Sequence, residues 1–211
     1  MVSCTTTSGV AGSGTAWRPT ALVATVPSSL VGKVAFYSGG TETLLGPTGW
    51  ACSQLLAADG SSAVAVYPPG TPDPTRSQPS PGTDLVDADF DYTGHGPGTD
   101  LVCPYFPPAD PSEYPGCTTT PPAGEIGTKL TPDIVSITDP AGVKGTLAGS
   151  GGPEAVTGAL IVPHAAAGSS ASLNVAEESC SLPAVQADLC PTILADFEIR
   201  EFPAPPTTSP G

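Results

Sequence analysis

The sequence predicts a mainly β domain, sandwich or barrel-like and antiparallel, with loop-rich insertions, three disulfides and a short C-terminal helix. Three observations carry this. Short runs rich in β-branched and aromatic residues recur between Gly- and Pro-rich breaks. Six cysteines (Cys4, Cys52, Cys103, Cys117, Cys180 and Cys190) include no Cys-x-x-Cys pair and have only His95 and His164 for company, so disulfides fit better than zinc. Val185, Leu189, Ile193, Leu194 and Phe197 recur at helical spacing near the C-terminus.

Residues 1–19 form an N-terminal arm of Ser, Thr and Gly in which Trp17 is the main core-forming residue. Met1-Val2-Ser3-Cys4 lacks the charged start and apolar stretch of a signal peptide, so the segment reads as mature chain. A lipid anchor on Cys4 is the second reading; it would leave five cysteines, an odd number. Ala21 to Val26 is expected to be the first strand. The clearest structure-forming text is Val31 to Gly70. There Lys33 to Ser38 reads as a strand, Gly39-Gly40 as a two-residue turn, and Thr41 to Leu45 as its partner. Pro47, lacking an N–H, is expected to break the ladder. Trp50 and Cys52, two apart, share a face if extended. Asp59-Gly60 turns into a third strand, Ser61 to Tyr67, which completes a three-stranded meander with Trp50 in its core.

Residues 68–83 are Pro-rich and can form neither helix nor inner strand; they either divide the chain or make a surface loop. Residues 84–125 are the least regular. Strands are expected at Ile134 to Thr138, Gly158 to Pro163 and Ala171 to Val175, with a turn at Asp139-Pro140-Ala141-Gly142. A helix is expected over Thr192 to Glu201, with Pro191 in its first turn, where a missing N–H costs nothing. Residues 20–202 thus read as one domain and 203–211 as a disordered tail. The two short cysteine spacings suggest Cys103–Cys117 and Cys180–Cys190 as local loops. Cys4–Cys52 is left to tie the arm to the meander.

Charge narrows the partners. The net charge is −14, and the six basic residues (Arg18, Lys33, Arg76, Lys129, Lys144 and Arg200) are scattered. Nucleic acid needs clustered Lys and Arg and is not expected as a partner; an anionic membrane surface is disfavoured for the same reason. No apolar run reaches the length of a bilayer span. Disulfides imply an oxidising compartment, so the protein is expected to be secreted or on the extracellular face of the envelope.

One resemblance bears on this. The string LLGPTGWACSQLLAADGSSAVAVYPPG, with LVCPYFPPA, LTPDIVSITDPAGVKG followed by SGGP, and CSLPAVQADLCPTILADF, resembles uncharacterised secreted actinobacterial proteins with a Gly-Pro-x-Gly-Trp-x-Cys segment. The resemblance implies export and disulfides, and it carries no catalytic residue over. Asp84 to Asp100 departs most from that pattern.

Four constellations are candidates for chemistry. Asp89, Asp91, Thr93, Gly94 and Asp100 fall at positions 1, 3, 5, 6 and 12 of an EF-hand-like calcium loop. Against this, Asp100 is shorter than the usual Glu, Gly96 offers no apolar contact, and the flanks around Pro97 are not helical; a solvated acidic loop is the plainer reading. Ser150, among glycines, and His164 suggest a hydrolase, but Ala148 breaks the nucleophile-elbow pattern. The carboxylate pairs Glu177-Glu178, Asp133 with Asp139, and Asp188 with Asp196 suggest glycoside cleavage; they read as surface charges, adjacent ones on opposite strand faces. Tyr92, Tyr105, Phe106 and Tyr114 suggest a stacking surface for a sugar or partner protein, or simple packing under the Cys103 loop.

The function expected is an exported or envelope-associated binding or structural module for a protein or polysaccharide, without catalysis and with no cofactor. The alternatives are an extracellular hydrolase of polysaccharide or ester, and a calcium-stabilised recognition domain. A deep polar cleft holding His164 or two facing carboxylates would favour the enzyme; a flat aromatic face would favour binding.

Overall fold

The computed structural model describes residues 1–8, 24–40, 42–58, 60–91, 102–107, 117–162 and 175–201. Eleven strands in these residues make two sheets. β1 (Val2–Ser3), β3 (Val34–Ser38) and β4 (Thr43–Pro47) form the small one. The large one is β2 (Thr5–Ser8), β5 (Ala51–Leu56), β6 (Ser62–Tyr67), β7 (Leu85–Asp91), β11 (Val175–Ser181), β10 (Val156–Ile161), β9 (Ile134–Asp139) and β8 (Ile126–Thr131), in that spatial order. This is the mainly β, two-sheet architecture expected, with no closed barrel. Pairing is antiparallel except for β1 on β3 and β2 on β5, which are parallel. The arm therefore supplies a strand to each sheet. Cys4 lies between them, with its N–H donating to Ser38 O.

The meander expected over residues 33–67 is instead split between the sheets. β3 and β4 stay in the small sheet, and the chain crosses at Thr48-Gly49, where Gly49 takes a φ of 86° that favours glycine. Pro47 does not interrupt the ladder. It ends β4 opposite Val34, and its carbonyl accepts from the buried Tyr37 hydroxyl, which in turn accepts from Trp50 N at 3.1 Å. Tyr37 thus pins the corner. The β3–β4 loop spans four residues, since Ser38 pairs with Thr43. Trp50 packs half-buried against the core. Ala24 to Val26 is not a strand, though Val26 packs on the same core; Ala21 to Val23 lie outside the described residues.

All three expected disulfides form: Cys4–Cys52, Cys103–Cys117 and Cys180–Cys190. Cys4 is therefore not free to carry a lipid. The bonds fit an oxidising compartment. Among the described residues, no helix is long and apolar enough to cross a membrane.

Helix α1 (Cys190–Glu201) follows a 3-10 turn, Ala187–Leu189, and starts two residues earlier than expected. Ile193 and Phe197 enter the core that fills the space between the sheets. There they join Tyr37, Leu44, Val64 and Phe90. Phe197 meets Phe90 ring to ring at 6.0 Å. Arg200 clamps the helix end, pairing with Asp196 at 2.8 Å and donating to Thr43 O.

The outer face of the large sheet carries a second, smaller core: Val135, Ile137, Leu160 and Val175, covered by Leu147, Val102 and Phe106. Leu147 can lie flat there because Gly158 has no side chain. A Cβ at Gly158 would sit 2.6 Å from Leu147 Cδ2 and 2.7 Å from Glu178 O. β8 is an exposed edge, interrupted by a bulge at Lys129/Thr131, and Lys129 lies 5.2 Å over the Phe106 ring.

Candidate functional site

The outer core covers only one end of that face. Beyond it, the strands present carboxylates. β7 alternates strictly: Val86, Ala88 and Phe90 point into the inner core, so Asp87 and Asp89 point outward. β11 does the same. Glu177 pairs with Asp89 and Ser179 with Asp87, while Glu178 faces inward and is buried. Ala63, Asp89, Glu177 and Leu160 form one cross-strand row. Neighbours in such a row have Cβ atoms about 5 Å apart, so the Asp89 and Glu177 side chains face each other.

Two loops raise walls around this floor. Residues 68–83 join the adjacent strands β6 and β7 of one sheet and fold back over β5. Asp73 holds them there. It accepts from Ser53 Oγ at 2.5 Å, Thr75 Oγ1 at 2.8 Å and Thr75 N at 3.0 Å, and pairs with Arg76 at 3.2 Å. Burial pushes the Asp73 carboxyl up, but these donors and Arg76 outweigh it and hold the carboxyl below its usual range. The opposite wall is the loop after β9, anchored by Leu147 N donating to Asp139 Oδ2 at 3.0 Å. Between the walls lies a cleft of about 490 Å³, with Asp87, Asp89 and Glu177 on its floor and Leu55 and Ala63 beside them.

The electrostatics of the floor follow from its construction. Glu177 is 6% exposed, and among the described residues its carboxyl has no hydrogen bond or ion pair. Burial, then the charges of Asp89, Glu125 and Asp139, push it up to about 8. Asp89 is exposed into the cleft, and its partial enclosure raises it to about 6. Asp87 is also raised, by burial and then by Asp89 and Glu177. Asp139, fully buried against the loop after β9, is raised to about 7 by burial and by the Glu125 carboxyl, against the offsetting Leu147 N–H and Lys144 charge. Glu125 is fixed by Tyr105, whose hydroxyl donates to Oε1 at 2.6 Å, and by Thr146 N on Oε2. Burial and that acceptor raise the Tyr105 phenol as well.

Glu177, Glu178, Asp139 and Asp196 were expected to be surface charges, and all four are buried. Their surroundings correct that reading: sheet faces covered by loops and helix, not open strand faces. Asp89 and Asp91 lie in the extended strand β7 rather than in a turning loop; Thr93 and Asp100 lie outside the described residues. Among the described residues, no three His, Cys, Asp or Glu side chains are grouped to hold a metal ion. Ser150 is buried, donating to Gly145 O and accepting from Gly145 N, so it braces its own loop and is not presented as a nucleophile; His164 lies outside the described residues. Phe106 is buried in the outer core and Tyr105 packs half-buried against it. Tyr92 and Tyr114 lie outside the described residues.

What fold and site define is therefore a disulfide-stapled β domain with an acidic cleft on the outer face of its larger sheet. No protein-family model, curated protein or solved structure matches the chain.

Proposed function

We propose that this is an exported binding module, resembling the actinobacterial secreted proteins with the Gly-Pro-x-Gly-Trp-x-Cys segment, and that its ligand enters the acidic cleft. The observation that carries this is Glu177: a carboxyl on a residue only 6% exposed, on the floor of a cleft, with like charges around it and no hydrogen bond or ion pair to it among the described residues. Holding such a carboxyl largely out of water among like charges costs a fold stability, and a donor or cation on a ligand would offset that cost. The three disulfides support export. The test is a thermal-shift screen of defined envelope glycan fragments and peptides against the oxidised protein, repeated with Ala63→Phe, which fills the cleft. Ligands that raise the melting temperature only while the cleft is open support the reading. Hits indifferent to Ala63→Phe, or no hits at all, would place the function elsewhere.

A second reading rests on Asp89 and Glu177 facing each other with unequal proton affinities, the division of labour that glycoside cleavage needs. Glu177 would protonate the leaving oxygen and Asp89 would attack or activate water. Release of reducing ends from a polysaccharide panel, lost in Glu177→Gln, would establish it. Absence of turnover on substrates that bind leaves the non-catalytic reading standing.

A further inference from the structure

We propose that the cleft takes a lysine or arginine side chain from a basic peptide segment, seating the cation among Glu177, Asp89 and Asp87 with its aliphatic stem along Leu55 and Ala63. This rests on the cleft being the ligand site and names the ligand's chemistry.

The cleft centre gathers carboxyls and, among the described residues, no counter-charge paired to them. The groups facing Glu177 are Asp87 and Asp89 from β7, Asp139 from β9 and Glu125 from the segment before β8. Two cations stand on the walls. Arg76 is turned away, donating Nε to Asp73 and Nη2 to Thr7 Oγ1 at 3.1 Å. Lys144 bears on Asp139. Neither makes a salt bridge to the floor among the described residues.

The shape selects among cations. The carboxyls stand on neighbouring strands and, among the described residues, are not grouped as a metal shell, whereas an ammonium or planar guanidinium can span carboxylates on adjacent strands. Leu55, Ala63 and Pro74 add a surface for methylenes. No aromatic ring lines the cleft among the described residues, so the stacking platform typical of neutral sugars is missing there. A net charge of −14 also draws a basic segment in at long range.

Proton linkage follows. Glu177 keeps its proton to about pH 8, so a bound cation must displace it, and affinity rises as pH rises from 6 to 8.

The experiment titrates fluorescein-labelled hexalysine and hexaarginine and, separately, fluorescein-labelled chitohexaose as a neutral ligand, against the oxidised full chain at low and physiological salt. Expected is binding that strengthens from pH 6 to 8 and weakens at least tenfold in Glu177→Gln. Asp89→Asn, a change at an exposed side chain, carries the same expectation if Glu177→Gln does not fold. Asp188→Asn, at an exposed acid paired with Lys33, should change affinity less than twofold. Equal losses at Asp188 and Glu177 would show non-specific attraction and overturn the proposal. If chitohexaose binds, is blocked by Ala63→Phe, and the basic peptides do not bind, the proposal falls and the cleft reading survives. If none binds, both fall.

Discussion

Glu177 is where the molecule spends stability. Its carboxyl is raised to about 8 in the folded chain, against an ordinary value near 4.3 in the unfolded one. Between those values the folded state holds more protons, so stability falls as pH rises, by up to about 1.4 kcal/mol per pH unit for this one group. Asp87, Asp89 and Asp139 push in the same direction, with Asp89 muted by water on its open side. Melting temperature is therefore expected to decline from pH 5 to pH 8. Glu177→Gln is expected to match the wild type near pH 5, to exceed it at pH 8, and to flatten the decline. A wild-type curve that is level or rising over that range would contradict this. Gly158 makes the opposite kind of residue-scale claim. Gly158→Val puts carbon against Leu147 and Glu178 O and is expected to cost about 1–3 kcal/mol in chemical denaturation.

At the scale of elements, the loops and crosslinks carry most of the specification. Cys4–Cys52 closes a span of 48 residues and Cys180–Cys190 one of 10. On the loop-entropy argument, replacing each pair by serine is expected to cost about 4 and about 3 kcal/mol respectively, measured by urea unfolding. Asp73→Ala removes the acceptor that ties the Pro-rich loop to Ser53. We expect faster proteolysis within residues 77–80 and a weakened cleft wall, with the rest of the sheet intact. The disulfide pairs, the C-terminal helix and the strands β3, β6, β9 and β10 were legible in the sequence, because cysteine spacing and β-rich runs report on local chemistry. β7 and β11 were not. LVDADFD alternates apolar and acidic residues as a half-buried strand should, but aspartate is depleted in strands, and the same aspartates fit a metal loop. VAEESCS hid for the same reason. The site lies on the two strands whose composition argued against strand.

For the whole molecule, the cleft exists because the two faces of one sheet are treated differently. The inner face is sealed by the small sheet and α1; the outer face is sealed only where Leu147 and Phe106 cover it. Long-range pairing of β7 with β11 brings Asp89 to Glu177 across 88 positions of chain, and no local pattern could reveal that. The most direct measurement is therefore a carboxyl ¹³C NMR titration of Glu177 in the oxidised protein. A midpoint near 8 is the predicted result, and it would establish an enclosed, unpaired acid on the cleft floor. A midpoint in the ordinary glutamate range, about 4, would mean the carboxyl is solvated or paired, and the cleft would lose the feature on which its function is argued.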